Sequence, residues 1–365
     1  MTRQQTITHR LTRRSVLKRM LGASAVAPSA VAASMLAGAK PALAGTKVPY
    51  GVAVALEPFR NEPRMRELLI EHADIIVPMN ALKWASLRHT AGEFDFSGAD
   101  EIISFAEAHG KRIHGHALLW YAFNPQWIDA VMSPSRLERL LVEHIETVMG
   151  RYAGRIATWD VANEVISHDP LNEGRWRYGV WYNVLGPRHL DIAFQTAARV
   201  DPSAKLYLND YDLEDNSLRT KARQDALLGI VDRLQGKNIP IHGIGLQAHL
   251  YAEREIGVEN LHRFVLALKE RGLTVSVTEL DVIDWKLSAE HQRRDRAVAA
   301  VADEFLSALT GVTTPDTITS WGLSDSHSWI GDTFPREDDA KARPLPFDAE
   351  WRAKALWDVL RRHMN

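Results

Sequence analysis

The sequence predicts an α/β protein of the (β/α)8, or TIM-barrel, class. Three observations carry that expectation: eight short apolar runs rich in β-branched residues, segments of helical period between them, and polar residues gathered where the runs end. At 365 residues and 45% hydrophobic content the chain is long enough for one such barrel after a short leader.

The runs are, in order, "YGVAVAL" (50–56), "DIIVPM" (74–79), "RIHGHAL" (112–118), "ATWDVAN" (157–163), "KLYLND" (205–210), "GIGLQAH" (243–249), "TVSVTEL" (274–280) and "TITSWGL" (317–323). Each has the length of a strand buried on both faces. Between them stand helical candidates such as "PRMRELLIEH", "SRLERLLVEHIETVMGRY", "LDIAFQTAARV" and "NLHRFVLALKERG". Gly110, Gly150, Asn238 and Gly272 follow such segments and are expected to close helices in the left-handed conformation. A doubly wound sheet is the competing fold, but no Gly-rich phosphate turn follows the first strand.

Polar groups collect at one end of these strands. Met79-Asn80, His116, Asn163-Glu164, Asn209-Asp210, Gln247 with His249, Glu279 with Asp281, and Trp321 all fall at or just past C-terminal strand ends. In a barrel that end carries the reactive groups.

The first 44 residues differ in kind. Arg13-Arg14 in "TRRSVLK", a mildly apolar Ala-rich stretch and "ALA" before Gly45 have the three regions of an export signal, here of twin-arginine type. The expected organisation is therefore an export signal over 1–44, read by the twin-arginine machinery, and one catalytic domain over 45–365, exported to the periplasm or beyond. A membrane anchor is the alternative, but Pro28, serines and glycines make the stretch a weak spanning helix. Without cysteine, neither a disulfide nor lipid attachment through a thiol is available.

The leader holds seven basic residues and no acid, which leaves 37 basic and 46 acidic residues beyond it, a formal charge of −9. That balance argues against a nucleic-acid partner. No nucleotide, flavin or metal motif is present, so no cofactor is expected, and a monomer is the expected state. Eleven tryptophans exceed what the core needs; about half are expected as core filler, and indole faces suit sugar rings.

Glu164 and Glu279 end strands four and seven in similar fashion. Cleaving a glycosidic bond needs two carboxyl groups across it, one protonated to donate to the leaving oxygen and one ionised to attack or to activate water. Their environments must differ, because identical carboxylates cannot do both jobs. Asn163 beside Glu164, and His249 with Asp281 near Glu279, are the available tuners; the reading is Glu279 ionised and Glu164 protonated. Asp160, earlier on strand four, reads as a buried partner in the polar network.

"WDVANE", "LNDYDLE", "GIGLQAHL", "VTELDV", "SWGLSDSHSW" and "ARPLPFD", in this order, resemble the serial motifs of glycoside hydrolase family 10, the β-1,4-xylanases. The resemblance implies a single barrel that hydrolyses internal β-1,4-xylosidic bonds with retention, xylan or xylo-oligosaccharides being the substrate. By motif position it implies Glu164 as acid/base, Glu279 as nucleophile, Asn163 as the residue on the sugar 2-hydroxyl and His249 as the nucleophile's partner. It also implies a sugar-binding lining of Asn80, Lys83 and Trp84 in "NALKW", His116 and Trp120 in "GHALLW", Gln247, Trp321 and Trp329. For Trp84 and Trp120, packing in the barrel wall is the competing role; for His116 it is a satisfied core histidine.

The chain departs from the family pattern at Met79, Ala85 and Tyr121, where a glutamate, an acidic residue and a histidine are usual. Methionine accepts no useful hydrogen bond from a hydroxyl. The second glycone subsite is therefore expected to be altered, with action on short xylo-oligosaccharides or another β-glycoside as the alternative function. A remote alternative is a metal-dependent hydrolase using His114 and His116, two imidazoles on one strand face.

Overall fold

A computed structural model describes residues 48–365; the expected export signal lies outside the described residues. Strands β1 (Tyr50–Val54), β2 (Ile75–Pro78), β3 (Arg112–His116), β4 (Thr158–Asn163), β5 (Lys205–Asp210) and β6 (Gly243–Leu246) pair in sequence, all parallel. A short β7 (His249–Tyr251) follows, then β8 (Thr274–Ile283) and β9 (Ile318–Ser320). β6 pairs with β8, β8 with β9 and β9 with β1, so eight strands close the barrel. The run 243–249, expected as one strand, is thus two: β7 stands outside the ring and pairs with the far end of β8.

Helices cover the outer faces, which is why the strands read as continuous apolar runs. Helix Pro134–Arg151 starts at Ser133, whose Oγ accepts from the Arg136 N–H, and proline occupies its first turn, where a missing N–H costs nothing. Helix Leu218–Gly236 is capped by Ser217 and helix His291–Thr310 by Glu290 in the same manner. Gly110, Asn238 and Gly272 do adopt left-handed backbones after their helices. Gly150 does not: it lies inside helix Pro134–Arg151, and the left-handed residue is Gly154, whose N–H reaches Asp201 Oδ2 at 2.9 Å.

Register is what positions the polar strand ends. Asn163 pairs opposite Asn209, and Asn209 opposite Gly245. A Cβ on Gly245 would lie 2.2 Å from Asn209 Oδ1, so only glycine leaves room for that amide. The ladder slips between Asp160 and Ala162 and again between Val277 and Leu280, next to each glutamate. Such irregularities re-aim side chains at functional edges of sheets.

Candidate active site

Glu164 follows β4 by one residue and has a left-handed backbone, φ 53°. For a non-glycine residue that costs roughly 1 kcal/mol. Its N–H donates to Asn209 O at 2.9 Å. Its Oε1 accepts from Gln247 Nε2 at 3.2 Å and Asn163 Nδ2 at 3.3 Å, while the side chain stays half-buried.

Glu279, on β8, is buried. Oε1 accepts from Asn209 Nδ2 at 2.6 Å and Oε2 faces His249 Nε2 at 3.1 Å. Burial alone would push this carboxyl up. The His249 hydrogen bond and the charges of His116, His249 and Lys83 more than reverse that, and it sits below the usual glutamate range. That direction favours the charged form, which the expected role of Glu279 requires.

His249 Nδ1 lies 2.8 Å from Asp281 Oδ1, whose other oxygen accepts from Trp329 Nε1 at 2.8 Å. Burial opposes a charged imidazole here, but Asp281 and Glu279 on its two nitrogens raise it well above the ordinary histidine value. A charged ring donates from both nitrogens, so the chain Trp329–Asp281–His249–Glu279 fixes the carboxylate's direction.

Lys83 Nζ donates to Asn80 Oδ1 at 3.0 Å and stands 4.5 Å from the Trp120 ring centroid and 5.7 Å from that of Trp321. Burial brings its ammonium down to about 8, against the pull of Glu279, Glu164 and Asp160. His116 sits edge-on to Trp321 at 5.1 Å and 4.0 Å from Glu279 Oε1. Asn80, Lys83, His116, Trp120, Trp321 and Trp329 thus group around the two carboxyls. The Trp120 indole N–H is buried without a partner among the described residues, which suits a sugar hydroxyl.

Trp84 is not brought to this cleft. It is 2% exposed, its N–H donates to Leu118 O at 2.8 Å, and its ring stacks on His144 of helix Pro134–Arg151 at 3.7 Å. Wall packing is its role. His114 and His116 do not open a metal site either: both turn toward one oxygen of Asp160, at 2.9 and 2.8 Å, and the other nitrogen of His114 meets Thr158 Oγ1 at 2.8 Å. Burial raises the Asp160 carboxyl, but the two imidazoles bring it to about 2, as the reading of a buried partner expects.

Asn209 is the residue missing from the expected site. Its amide donates to both Glu279 Oε1 and Asn163 Oδ1, the latter at 3.0 Å, and Gln247 Nε2 reaches the same Asn163 oxygen at 3.1 Å. The signal was present, since "LND" ends strand five as "VAN" ends strand four. Arg177 and Tyr211, near Glu164, were not among the expected site residues: Tyr211 directly follows β5, inside "LNDYDLE", whereas Arg177 lies well past β4 on a returning segment.

The profile of Glycosyl hydrolase family 10 matches residues 39–362. A β-1,4-xylanase of Dictyoglomus thermophilum is 34% identical over 310 residues, covering 80% of this chain and 83% of that protein. Endo-1,4-β-xylanase A of Humicola insolens is 36% identical over 262 residues, 71% of this chain and 67% of the relative. Among solved structures, native xylanase 10B from Thermotoga maritima superposes with a TM-score of 0.78 at 27% identity, covering 87% of this chain and 94% of that one. Fold, carboxyl pair and these likenesses agree: the chain belongs to glycosyl hydrolase family 10.

Proposed function

We infer that the protein is an endo-1,4-β-xylanase that cuts internal xylosidic bonds by double displacement. The observation that carries the mechanism is the pair of unlike carboxyls bridged by amides: Glu279 held ionised by His249, and Glu164 half-buried under Gln247 and Asn163.

Glu279 attacks the anomeric carbon while Glu164 gives its proton to the departing glycosidic oxygen, so the C–O bond to the leaving sugar breaks as the bond to Glu279 forms. Glu164, now ionised, takes a proton from a water that attacks the anomeric carbon on the face the leaving sugar vacated, opposite Glu279, so the bond to Glu279 breaks and the configuration is retained. Asn163, fixed through its oxygen by Asn209 and Gln247, keeps its own N–H groups toward Glu164 and the sugar's 2-hydroxyl. Lys83, Asn80 and His116 hold hydroxyls of the sugar that becomes attached.

The export signal read in residues 1–44 supports delivery of the folded enzyme across the membrane to meet its polysaccharide; a processed chain starting at Gly45 in a periplasmic or secreted fraction is the expected product. Activity is tested on linear xylan and xylohexaose by proton NMR during the first minutes. The expected result is internal cleavage with the β-anomer appearing first; an α-anomer as first product would refute the double displacement.

A further inference from the structure

After β4 the chain doubles back as a small hairpin. Ile166 bridges Trp176 antiparallel, Ser167 N–H donates to Arg175 O at 3.0 Å, and Arg177 N–H donates to Val165 O at 2.9 Å. This brings Arg177 beside Glu164. Its guanidinium stands 4.6 Å from the ring centroid of Tyr121 and 5.5 Å from that of Tyr211, and it donates to the Tyr211 hydroxyl.

The neighbouring arginines are each matched to a carboxylate: Arg223 to Asp210 and Arg219 to Asp212. Arg177 has no carboxylate within ion-pair distance among the described residues, and its Nε is buried without a partner. The Tyr121 ring on one side and the Tyr211 hydroxyl on the other hold the guanidinium, and a guanidinium held in place is pre-organised for a carboxylate.

Tyr121, Asn163, Glu164, Arg177 and Tyr182 line one small cavity, which leaves out Asn80, Lys83, Trp321 and Trp329. The cavity therefore lies on the leaving-group side of the acid. The space enclosed is only about 10 Å³, so a branch on the sugar chain reaches the guanidinium from outside, over Tyr121, which is 37% exposed.

We propose that Arg177, clasped by Tyr121 and Tyr211, binds a carboxylate carried as a branch on the sugar just beyond the cleaved bond, so that uronic-acid-substituted xylan is a preferred substrate. The inference rests on the xylanase reading and adds a ligand class to its leaving-group side. A neutral branch of the same shape would leave the guanidinium with only the Tyr211 hydroxyl and the more distant charge of Asp210.

The test compares kcat/KM for a xylo-oligosaccharide bearing one glucuronic acid branch with the same compound reduced at that carboxyl to the alcohol, with products identified to place the branch beyond the cut. The wild-type enzyme is expected to prefer the acid by about tenfold. Arg177→Gln should bring the ratio to about one, and Arg177→Lys should keep part of it, because a lysine retains charge without the fork. A ratio cancels any general loss of activity in a variant. A wild-type ratio near one, or an undiminished ratio in Arg177→Gln, overturns the carboxylate site. With unbranched oligosaccharides still hydrolysed, either result leaves the xylanase reading standing, whereas failure to hydrolyse any of them removes both.

Discussion

The side-chain amide of Asn209 donates a 2.6 Å hydrogen bond to Glu279, and the same nitrogen lies 3.0 Å from the oxygen of Asn163. One buried amide therefore aligns the attacking carboxylate and the residue beside the acid. Asn209→Ala is predicted to lower kcat/KM on an aryl xylobioside by roughly 10- to 100-fold, the worth of one hydrogen bond to a charged group. Gly245→Ala, which crowds that amide from the next strand, is predicted to act in the same direction. Steady-state kinetics of the two variants check this, and wild-type values in both would remove Asn209 from the machinery.

His249 sets the pH range in which the nucleophile is charged. Burial raises the Glu279 carboxyl, and His249 is the largest influence bringing it down. With His249→Gln the neutral amide cannot supply that charge, so the carboxyl rises and is protonated over a wider acidic range. The acid limb of the kcat/KM profile is predicted to move to higher pH, with at least about a tenfold loss at its former optimum. An unmoved acid limb contradicts the pairing.

His144 carries a different pH effect, on stability. It is fully buried, neither ring nitrogen has a hydrogen-bond partner among the described residues, and burial, helped by the charge of Arg88, holds it well below 6.5. The unfolded chain thus takes up a proton first, and the folded state loses stability as pH falls through about 6.5. His144→Phe keeps the stack on Trp84 and removes this loss. Its stability relative to wild type, from urea unfolding at pH 7.5 and 5.0, is predicted to improve at the lower pH; an equal difference at both would refute the assignment.

Met79, which the family pattern puts on the glycone side, is half-buried and packed against the cluster of Ala53, Val77 and Trp321. A thioether offers hydroxyls no acceptor of useful strength. Met79→Glu is predicted to lower KM for short xylo-oligosaccharides several-fold, with a smaller effect on long chains that have other contacts. Unchanged KM across xylobiose to xylohexaose would show that this wall does not touch the sugar.

Most of the barrel was legible because strand positions and helix spacing are local signals. Both glutamates were legible because a carboxyl at the end of a buried strand has little other reason to be there. What escaped depended on register. Asn209 ends its strand as visibly as Asn163, but its reach to Glu279 follows from standing opposite Gly245 and from the slip between Val277 and Leu280. Trp84 looked like a sugar platform because the motif places it next to Lys83. Its ring instead turns outward onto His144, a contact between segments about sixty residues apart that no local pattern announces. Arg177 sits on a hairpin after the strand, where chain reversal decides what meets Glu164.

The central claim is that Glu279 forms the bond to the sugar while Glu164 handles the proton. An aryl xylobioside bearing fluorine at carbon 2 slows the second step and traps the intermediate, and peptide mass mapping of the trapped protein locates it. The account predicts one glycosyl group on Glu279, with Glu164 unmodified; a label on Glu164 or any other residue, or inactivation without a covalent adduct, would contradict it.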